Sequence, residues 1–571
     1  MPPTAIHPAP PTPAIQPVRS VVSPLLPVVL PLVFTAIGLS VVFAWLFPPD
    51  QTAGAPALRF TDVTAEAGLN FTHQQGGVET PTTLAGAVAV LDFNADGSPD
   101  LFFVNGAPWP WEESLEKRLG RSSALFRNDG QGRFTDATAS AGLNGEMQGM
   151  AATAGDFDND GHPDLFVTCL GLNHLFRNLG NSRFEDVTEL AGVGGDENTW
   201  STGAAWLDCD GDGRLDLVVL HYARWPQEVG LSQAFLIADI GRSYGTPTGF
   251  ISAFPSVYRN LGEGRFALVP DSAGLRDVDS ETGRPVAQPL AIAPLDANGD
   301  TRLDLLITYH NHSSALFLAR GDGTFEKQAA GRGNRQEGAS ASFASASAFS
   351  PAANAEPRAQ FLPSFSVGPG ADDQPLALAG KLGVAVADFN LDGRPEVFSG
   401  QGAAELHLNK FEPGRAFARP PAVWWQSGHD WQIALPDPAN PWAAPLNARG
   451  IAVADFDGDG DTDVVIAQNN ASPVLLRNDQ RPGLPWLRLQ LVATRSQPEA
   501  GGARVEVHTP RRVFTQTVAP ALGFMAQSES TLTFGLGDDA RVRKIVIQWP
   551  SGQTQELRPD GLNQTLVIRE P

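Results

Sequence analysis

The sequence is poor in cysteine and in positive charge. Two cysteines among 571 residues cannot build a disulfide framework. Lysine and arginine total 40 against 63 aspartates and glutamates, so the formal net charge is −23. Sequence-independent binding to nucleic acid needs clustered cations, and this composition argues against such a partner. The sequence also lacks the G-x-S-x-G, H-E-x-x-H and phosphate-cradling motifs that mark several enzyme classes.

Charged side chains are absent from 27 consecutive residues, 21–47, which follow a proline-rich stretch at 1–20. A helix of that length spans about 40 Å, enough for a hydrocarbon core of about 30 Å. Arg19 precedes the run and Asp50 follows it, so the positive-inside rule predicts a cytoplasmic tail (1–20), a transmembrane anchor (21–47) and a periplasmic or cell-surface body.

Two alternatives to the anchor stay open. A cleaved signal peptide, with small residues at 53–55 as its cleavage site, would make the protein secreted. A cytoplasmic protein with a buried apolar segment is the other. The anchor and the signal peptide both export the rest of the chain.

An acidic segment of nine residues occurs six times in the sequence. Every copy has oxygen-bearing side chains at positions 1, 3, 5 and 9. Glycine occupies position 6 in five copies, and Thr301 is the exception. The residues at positions 1, 3, 5 and 9 are, copy by copy, Asp92, Asn94, Asp96 and Asp100; Asp156, Asp158, Asp160 and Asp164; Asp208, Asp210, Asp212 and Asp216; Asp296, Asn298, Asp300 and Asp304; Asp388, Asn390, Asp392 and Glu396; Asp455, Asp457, Asp459 and Asp463.

This spacing predicts calcium loops. Ca²⁺ takes six to eight oxygen ligands at about 2.3–2.6 Å, and glycine at position 6 permits the sharp turn that brings alternate carboxylates together. An EF-hand would have glutamate at position 12, where this sequence has Phe103 or Val167. The six loops hold 22 acidic side chains and three arginines, so they carry most of the net charge. Because the loops recur in every repeat, we expect several structural Ca²⁺ ions; the alternative is solvated acidic turns without metal.

The sequence around each loop predicts four β-strands per repeat. Apolar, β-branched-rich runs such as 87–91 and 101–104 flank the loop, and a hairpin with the motif Leu-Phe-Arg-Asn follows, as at 125–128 and 175–178. Four such strands form one blade of a β-propeller. Phenylalanine at position 2 is expected to fill the core beneath the loop. The stretch 60–64 copies the end of a hairpin, so we expect it to close the ring by pairing with a late strand.

These six copies resemble the FG-GAP/VCBS repeats of integrin-α-type propellers over residues 58–480. Residues 486–569 lack the acidic segment and show the period-2 alternation of antiparallel strands. Gly501-Gly-Ala-Arg-Val505 and Trp549-Pro-Ser-Gly552 make this region similar to an ASPIC/UnbV domain. The predicted fold is therefore all-β: a six- or seven-bladed propeller, then a small antiparallel β domain, with one transmembrane helix before them. The combination resembles bacterial relatives of the cartilage acidic protein family, which implies an extracellular, calcium-binding protein.

The second strand of each repeat ends away from the acidic loop, and irregular insertions are expected to start there, at about 106–123, 222–255 and 410–447. Seven of the twelve tryptophans lie in these insertions, where an indole suits contact with a protein or a sugar. The candidate ligand-binding residues are Trp109, Trp111, His221, Trp225, His310, His312, Trp424, Trp425 and Trp431. Alternatively, the tryptophans anchor long loops, and the histidines are ordinary polar residues or ligands of a transition metal.

Two functions fit these patterns. The first is a calcium-stabilised binding or adhesion module outside the membrane that recognises protein or glycan. The second is an enzyme, carbohydrate-active or otherwise metal-dependent, that uses the same end of the propeller. Acids and histidines converging at that end would favour the enzyme.

Overall fold

The computed structural model describes most of the chain after residue 57. The described residues are 58–74, 86–106, 122–145, 147–225, 235–237, 241–243, 251–310, 312–328, 383–400, 418–427, 430–434, 436, 440–480, 484–519 and 525–571. The predicted cytoplasmic tail and the anchor or signal segment lie outside these residues, as do Trp109 and Trp111. Within the described ranges, no helix has the length and apolar character needed to cross a membrane.

Strands dominate the described chain, in the order that the repeats predict. The strands up to residue 268 are β1 (Phe60–Asp62), β2 (Ala87–Leu91), β3 (Asp100–Val104), β4 (Ala124–Asn128), β5 (Phe134–Asp136), β6 (Gly149–Gly155), β7 (Asp164–Cys169), β8 (His174–Asn178), β9 (Phe184–Asp186), β10 (Thr199–Leu207), β11 (Asp216–Arg224), β12 (Phe235–Ile237), β13 (Gly241–Ser243), β14 (Ser256–Gly262) and β15 (Arg265–Leu268). The next are β16 (Pro289–Leu295), β17 (Asp304–Tyr309), β18 (His312–Ala319), β19 (Phe325–Lys327), β20 (Val384–Ala387), β21 (Glu396–Ser399), β22 (Ala422–Ser427), β23 (Asp430–Ala434), β24 (Ala448–Ala454), β25 (Asp463–Gln468) and β26 (Val474–Asn478). The helices of this region are short: α1 (Thr138–Ala141), α2 (Thr188–Ala191) and 3-10 turns at Pro270–Gly274 and Pro441–Ala443.

Each acidic loop joins the first two of four adjacent antiparallel strands in one sheet. In chain order the sheets contain β2–β5, β6–β9, β10–β11–β14–β15, β16–β19, β20–β23 and β24–β26 with β1. Their first strands lie side by side in the series β20, β24, β2, β6, β10 and β16. We call these sheets blades 1 to 6 of a β-propeller. A seventh blade stays a prediction.

The N-terminal strand closes the ring, as the sequence predicts. β1 is the outermost strand of blade 6 and pairs antiparallel with β26, so that Phe60 lies opposite Asn478 and Asp62 opposite Leu476. The first described strand therefore completes the last blade, which joins chain segments more than 400 residues apart.

The core of each blade lies directly beneath its loop. Phe157, at position 2 of the second loop, stacks against Trp206 of blade 3 with ring centroids 6.1 Å apart. A buried ring of this size contributes about 1.5–3 kcal/mol by leaving water. The position-2 side chains of five loops are at most 4% exposed, which confirms their predicted role as core residues: Phe93, Phe157, Cys209, Phe389 and Phe456.

The C-terminal region forms two further sheets around its own apolar core, in which Trp549 is fully buried. Its strands are β27 (Trp486–Val492), β28 (Arg504–His508), β29 (Val513–Thr517), β30 (Ala526–Gln527), β31 (Leu532–Gly535), β32 (Lys544–Gln548), β33 (Thr554–Leu557) and β34 (Thr565–Arg569), with a 3-10 turn at Pro498–Ala500. One sheet has the order β31–β27–β34 and the other β29–β28–β32–β33. β27 and β34 pair in parallel, so this domain is not purely antiparallel as predicted.

One strand of the C-terminal domain belongs to the propeller. β30 pairs in parallel with β2, the first strand of blade 1, with Ala526 opposite Val88 and Gln527 opposite Ala89. It therefore adds a fifth strand to the free side of β2, and the two domains are joined by backbone hydrogen bonds.

Candidate metal centres in the acidic loops

All six acidic loops share one backbone shape. Residues at position 4 have φ between 57° and 80°, and residues at position 6 have φ between 68° and 95°. Both positions lie in the left-handed region, where glycine has no steric penalty. This explains the glycine at position 6 in five loops. Thr301, with φ of 68°, adopts the same conformation although its side chain is branched.

The carboxylate at position 1 orders each turn from within. Asp156 accepts hydrogen bonds from the N–H groups of Asp160 (3.0 Å) and Gly161 (2.8 Å). Such bonds to backbone N–H groups explain why aspartate suits a tight turn with or without metal. The same two bonds recur in the other loops at Asp92, Asp208, Asp296, Asp388 and Asp455.

The carboxylate at position 9 ties the loop to the third strand of its blade. Asp164, fully buried, accepts hydrogen bonds from the N–H groups of Phe157 (3.0 Å) and Asn178 (2.7 Å). Burial raises the pKa of this carboxyl to about 9 and that of its equivalent Asp100 to about 8, with neighbouring aspartates adding to the shift. A nearby cation would lower these pKa values again, because it favours the ionised form of the carboxyl.

Position 3 divides the loops into two kinds. Three loops, 156–164, 208–216 and 455–463, have aspartate there, and we call them Asp-type loops. In each of them, carboxylate oxygens from positions 1, 3 and 9 lie within 4.8 Å of one another. Asp158 Oδ1 and Asp457 Oδ1 are buried without a hydrogen-bond partner. These groups contain three of the four predicted ligand positions, and a ligand role for position 5 stays a prediction.

The other three loops, 92–100, 296–304 and 388–396, have asparagine at position 3, and we call them Asn-type loops. The amide nitrogen of Asn94 donates to Asp96 at 2.7 Å, and that of Asn298 donates to Asp300 at 3.0 Å. The amide at position 3 thus forms a hydrogen bond with the carboxylate at position 5, whereas a carboxylate at position 3 would repel it. Asn-type loops therefore depend less on a bound cation than Asp-type loops do.

Arginines of the third strand face position 3 in two Asp-type loops. Arg177 Nε lies 2.6 Å from Asp158 Oδ2, and Arg259 contacts Asp210. The arginines are 42% and 52% exposed at their side chains. Each is the Arg of the Leu-Phe-Arg-Asn motif or of its Val-Tyr-Arg-Asn variant. The motif alone does not reveal that its arginine contacts the acidic loop.

The asparagine that follows this arginine links neighbouring blades. Asn178 of blade 2 donates its amide N–H to the carbonyl of Phe93 in blade 1 (2.9 Å) and to that of Pro163 in its own loop (3.1 Å). In blade 4 the equivalent residue is Ala319, and Gly323 N–H bonds to the Cys209 carbonyl instead. The same link occurs in three further blades, from Asn128 to Phe456, Asn260 to Phe157 and Asn478 to Phe389.

The histidines predicted at the other end of the blades do not form a metal site with one another. His221 is 7% exposed and is bonded to Ser201 Oγ (3.0 Å) and Ser256 Oγ (2.8 Å), and burial lowers its pKa to about 4. His310 Nδ1 lies 3.2 Å from the Tyr222 hydroxyl, and His312 is exposed. The groups of three metal-ligating side chains found in the described part of the chain contain only loop aspartates.

Three tryptophans of the predicted ligand face are part of the packed body. Trp225, Trp424 and Trp425 are 3%, 7% and 8% exposed, and Trp424 Nε1 donates to Ser399 Oγ at 3.1 Å. The prediction of an irregular insertion at 410–447 is wrong for part of that range. β22 and β23 lie there and carry Trp424, Trp425 and Trp431, because aromatic residues suit strands. Trp424 and Trp425 are therefore buried strand residues rather than exposed ligand contacts, and the buried Trp225 directly follows β11.

The repeats and the C-terminal domain match known families. FG-GAP-like repeats match residues 92–167 and 168–219, an FG-GAP repeat matches residues 447–481, and the ASPIC and UnbV family matches residues 493–571. The chain therefore contains FG-GAP repeats and a C-terminal ASPIC/UnbV domain.

Cartilage acidic protein 1 is a curated relative of this chain. The Mus musculus protein is 24% identical over 240 residues, and the Xenopus tropicalis protein is 25% identical over 240 residues. Each match covers 33% of this chain and 37% of the relative. The chain thus spans little more than a third of the length of these curated relatives.

Solved structures with some likeness include two lectins. One, from Agrocybe aegerita, recognises non-reducing terminal N-acetylglucosamine; it is 15% identical, with a TM-score of 0.31 over 67% of this chain and 75% of its own. The other, Aleuria aurantia lectin in complex with alpha-methyl-L-fucoside, is 10% identical, with a TM-score of 0.29 over 67% of this chain and 87% of its own. Likenesses of this degree carry no argument about function.

Proposed function

We propose that the chain is a calcium-binding β-propeller that presents a binding surface for protein or glycan. The observation that supports this most is the convergence of carboxylates in the Asp-type loops, where one oxygen each of Asp158 and Asp457 is buried without a hydrogen-bond partner. Oxygen ligands alone suit a hard cation rather than zinc or copper. Ca²⁺ accepts irregular oxygen shells, whereas Mg²⁺ requires near-octahedral geometry.

The ions would be structural. Side chains at positions 1, 3, 5 and 9 would hold the metal, and its charge would offset the repulsion among them. Position 1 already orders the turn and position 9 already joins the loop to the third strand, so a bound ion would fix both contacts at once. Arg177 and Arg259 are exposed enough to rotate toward solvent when a divalent ion takes over their role.

The ligand would bind away from the loops. We call the end of the sheets that carries the acidic loops the loop end, and the end where each second strand finishes the opposite end. The C-terminal domain covers part of the loop end: Gln497 Oε1 accepts the Asp208 N–H at 2.7 Å, and Arg512 donates to the Asp392 carbonyl at 3.1 Å. The opposite end, with exposed His312, is therefore the surface we propose for a protein or glycan ligand. Trp109 and Trp111 stay candidates for it.

We also propose that the propeller is exported and tethered by residues 21–47. The absence of charge from that segment supports an anchor, and the millimolar calcium found outside cells suits sites of weak or moderate affinity. Protease added to intact cells should remove the propeller from a membrane-bound stub. Recovery of the whole chain in the soluble cytoplasmic fraction would contradict the proposal.

Metal analysis and a ligand screen test the proposed function together. The purified full chain should retain calcium after gel filtration, and EDTA should remove it. An array of glycans and candidate proteins, probed with and without calcium, should then give hits that depend on the metal-loaded fold. A chain that binds no calcium at millimolar concentration would overturn the proposal at its first step.

A further inference from the structure

The loop at 455–463 has a second set of charged neighbours, supplied by the C-terminal domain. Arg488 on β27 is 7% exposed, and its Nη1 lies 2.8 Å from Asp455 Oδ2. Its Nη2 is 2.5 Å from both carboxylate oxygens of Glu529. Glu529 Oε1 also accepts the Asp455 N–H at 3.1 Å. An Arg–Glu pair from the other domain therefore holds position 1 of this loop by both its side chain and its backbone.

The same domain packs against position 6 of this loop. Gly460 has φ of 95°, and a Cβ added there would lie 2.0 Å from the ring of Trp486. The indole therefore occupies the space beside the glycine that turns the loop. Two of the nine loop positions are thus fixed from outside, one by hydrogen bonds and one by packing.

Glu529 of the Arg–Glu pair belongs to the segment of chain that enters the propeller. We call Met525–Glu529 the plug segment. The side chain of Gln527, 4% exposed, accepts from Thr153 Oγ1 and Ala154 N–H at 2.7 Å each and donates to the Ala154 carbonyl at 3.1 Å. With the pairing of β30 to β2, the plug segment contacts the first strands of blades 1 and 2.

Blade 6 holds the same segment. Ser528 Oγ accepts the Val453 N–H at 3.1 Å, and the Glu529 N–H donates to the Val453 carbonyl at 3.1 Å. Val453 is on β24, two residues before Asp455. The plug segment is therefore hydrogen-bonded to the short stretch of chain that carries position 1 of the loop. A displacement of either one shifts the hydrogen-bond partners of the other.

Charge explains why Arg488 and Glu529 occur together. The loop carries five aspartates, and one of them, Asp461, is 7% exposed with its Oδ1 unpartnered. An arginine alone at Asp455 would compete with a divalent cation through like-charge repulsion. Glu529 cancels that charge while keeping the hydrogen bond, so the pair fixes the loop without opposing the metal.

We infer that the loop 455–463 is a composite metal site completed by the C-terminal domain, in which metal binding and docking of the plug segment stabilise each other. Arg488 and Glu529 are positioning residues of this site. Because two linked equilibria shift each other by the same factor, removing the metal must loosen the plug segment as much as undocking weakens metal binding. This inference rests on the proposed calcium binding.

Hydrogen exchange in the full chain tests the coupling. With EDTA in place of calcium, the amides of residues 526–529 should exchange about 5–150 times faster, the range typical of coupled sites. Asp457→Asn, which alters this loop alone, should give a similar acceleration in calcium. Asp210→Asn is the matched control, because it makes the same change at position 3 of the loop in blade 3 and should leave these amides protected. Equal acceleration by both variants would overturn the assignment to this loop.

A terbium titration tests the Arg–Glu pair from the metal side. Tb³⁺ occupies calcium sites, and a neighbouring indole sensitises its emission; the signal lost in Trp486→Phe therefore reports the loop 455–463. Glu529→Gln leaves Arg488 without its counter-charge, so Tb³⁺ should bind this site about tenfold more weakly, a typical coupling for contacting groups. Glu506→Gln, in the same domain, should bind as the unaltered chain does.

The outcomes separate the composite site from the proposed function. If the chain binds no calcium, both proposals fail. If calcium binds but residues 526–529 exchange equally fast with and without it, the composite site is wrong and the calcium proposal stands. If Glu529→Gln does not fold, hydrogen exchange of the unaltered chain in calcium and in EDTA still tests the composite site, because that comparison requires no substitution.

Discussion

The two ends of the propeller bury polar groups in opposite ways. At the loop end, carboxylates collect within 4.8 Å in the Asp-type loops, and burial raises the pKa of Asp164 to about 9. At the opposite end, His221 is neutral, bonded to two serines, and burial lowers its pKa to about 4. The loop end has charge that a cation would relieve, whereas both ring nitrogens of His221 at the opposite end are already hydrogen-bonded. Stability should therefore respond to metal at the loop end and to acid at the opposite end.

Removing the metal should give the largest change, and it should act on the loop end. A ligand at 100 times its Kd adds about 2.7 kcal/mol per site, so three Asp-type loops together contribute several kcal/mol. We expect EDTA to lower Tm strongly in thermal unfolding, and added calcium to restore it. Magnesium at the same concentration serves as the control and should restore little. An unchanged Tm in EDTA would contradict the expectation that the loop end depends on metal for its stability.

The next largest effect should come from an inter-blade link that needs no metal. Asn178→Ala removes the hydrogen bonds to the carbonyls of Phe93 and Pro163. A buried carbonyl left without a donor lowers the free energy of unfolding by about 1–3 kcal/mol. We expect a loss of about 3 kcal/mol in denaturant unfolding, equal in calcium and in EDTA. Asn70→Ala, at an exposed position, is the control and should change little. A loss seen only in calcium would show that the link belongs to the metal site.

Much of the loop end could be predicted because its signals are local. The glycine at position 6 and the phenylalanine at position 2 both act within nine residues, and both have the role that the sequence predicts. The pairing of β1 with β26 was also predictable, since the stretch 60–64 repeats the sequence of other hairpin ends.

Contacts between distant segments could not be predicted. Asn178 bonds to Phe93, 85 residues earlier, and nothing in the motif identifies a carbonyl as its partner. Arg488 reaches Asp455 only because the C-terminal domain folds back onto the loop end. At the opposite end, His221 looked like a surface residue because its two serine partners are 20 and 35 residues away.

A smaller effect should distinguish the two kinds of loop. Asp158→Asn converts an Asp-type loop into an Asn-type loop and removes one charge from the ligand set. We expect the calcium affinity of that site to fall about tenfold in calorimetric titration, since ligand charge sets affinity in such loops. Asn94→Asp should do the reverse in blade 1. Asp129→Asn, in an exposed hairpin turn, is the control. Equal titrations for Asp158→Asn and the unaltered chain would contradict a ligand role for position 3.

The smallest effect should come from acid at the opposite end. The folded pKa of His221 is about 4 against about 6.5 in an unfolded chain, so the unfolded state binds the proton first as pH falls. Stability is therefore full above pH 6.5 and is lost progressively toward pH 4; between pH 7 and 6 the loss should be under about 1 kcal/mol. Asp196, the charged group that acts on His221, opposes this shift only in part. His221→Gln can still bond to the serines but does not titrate, so its Tm should fall less between pH 7 and 6, by the same margin in calcium and in EDTA. Identical slopes for the two proteins would show that His221 does not limit stability in acid.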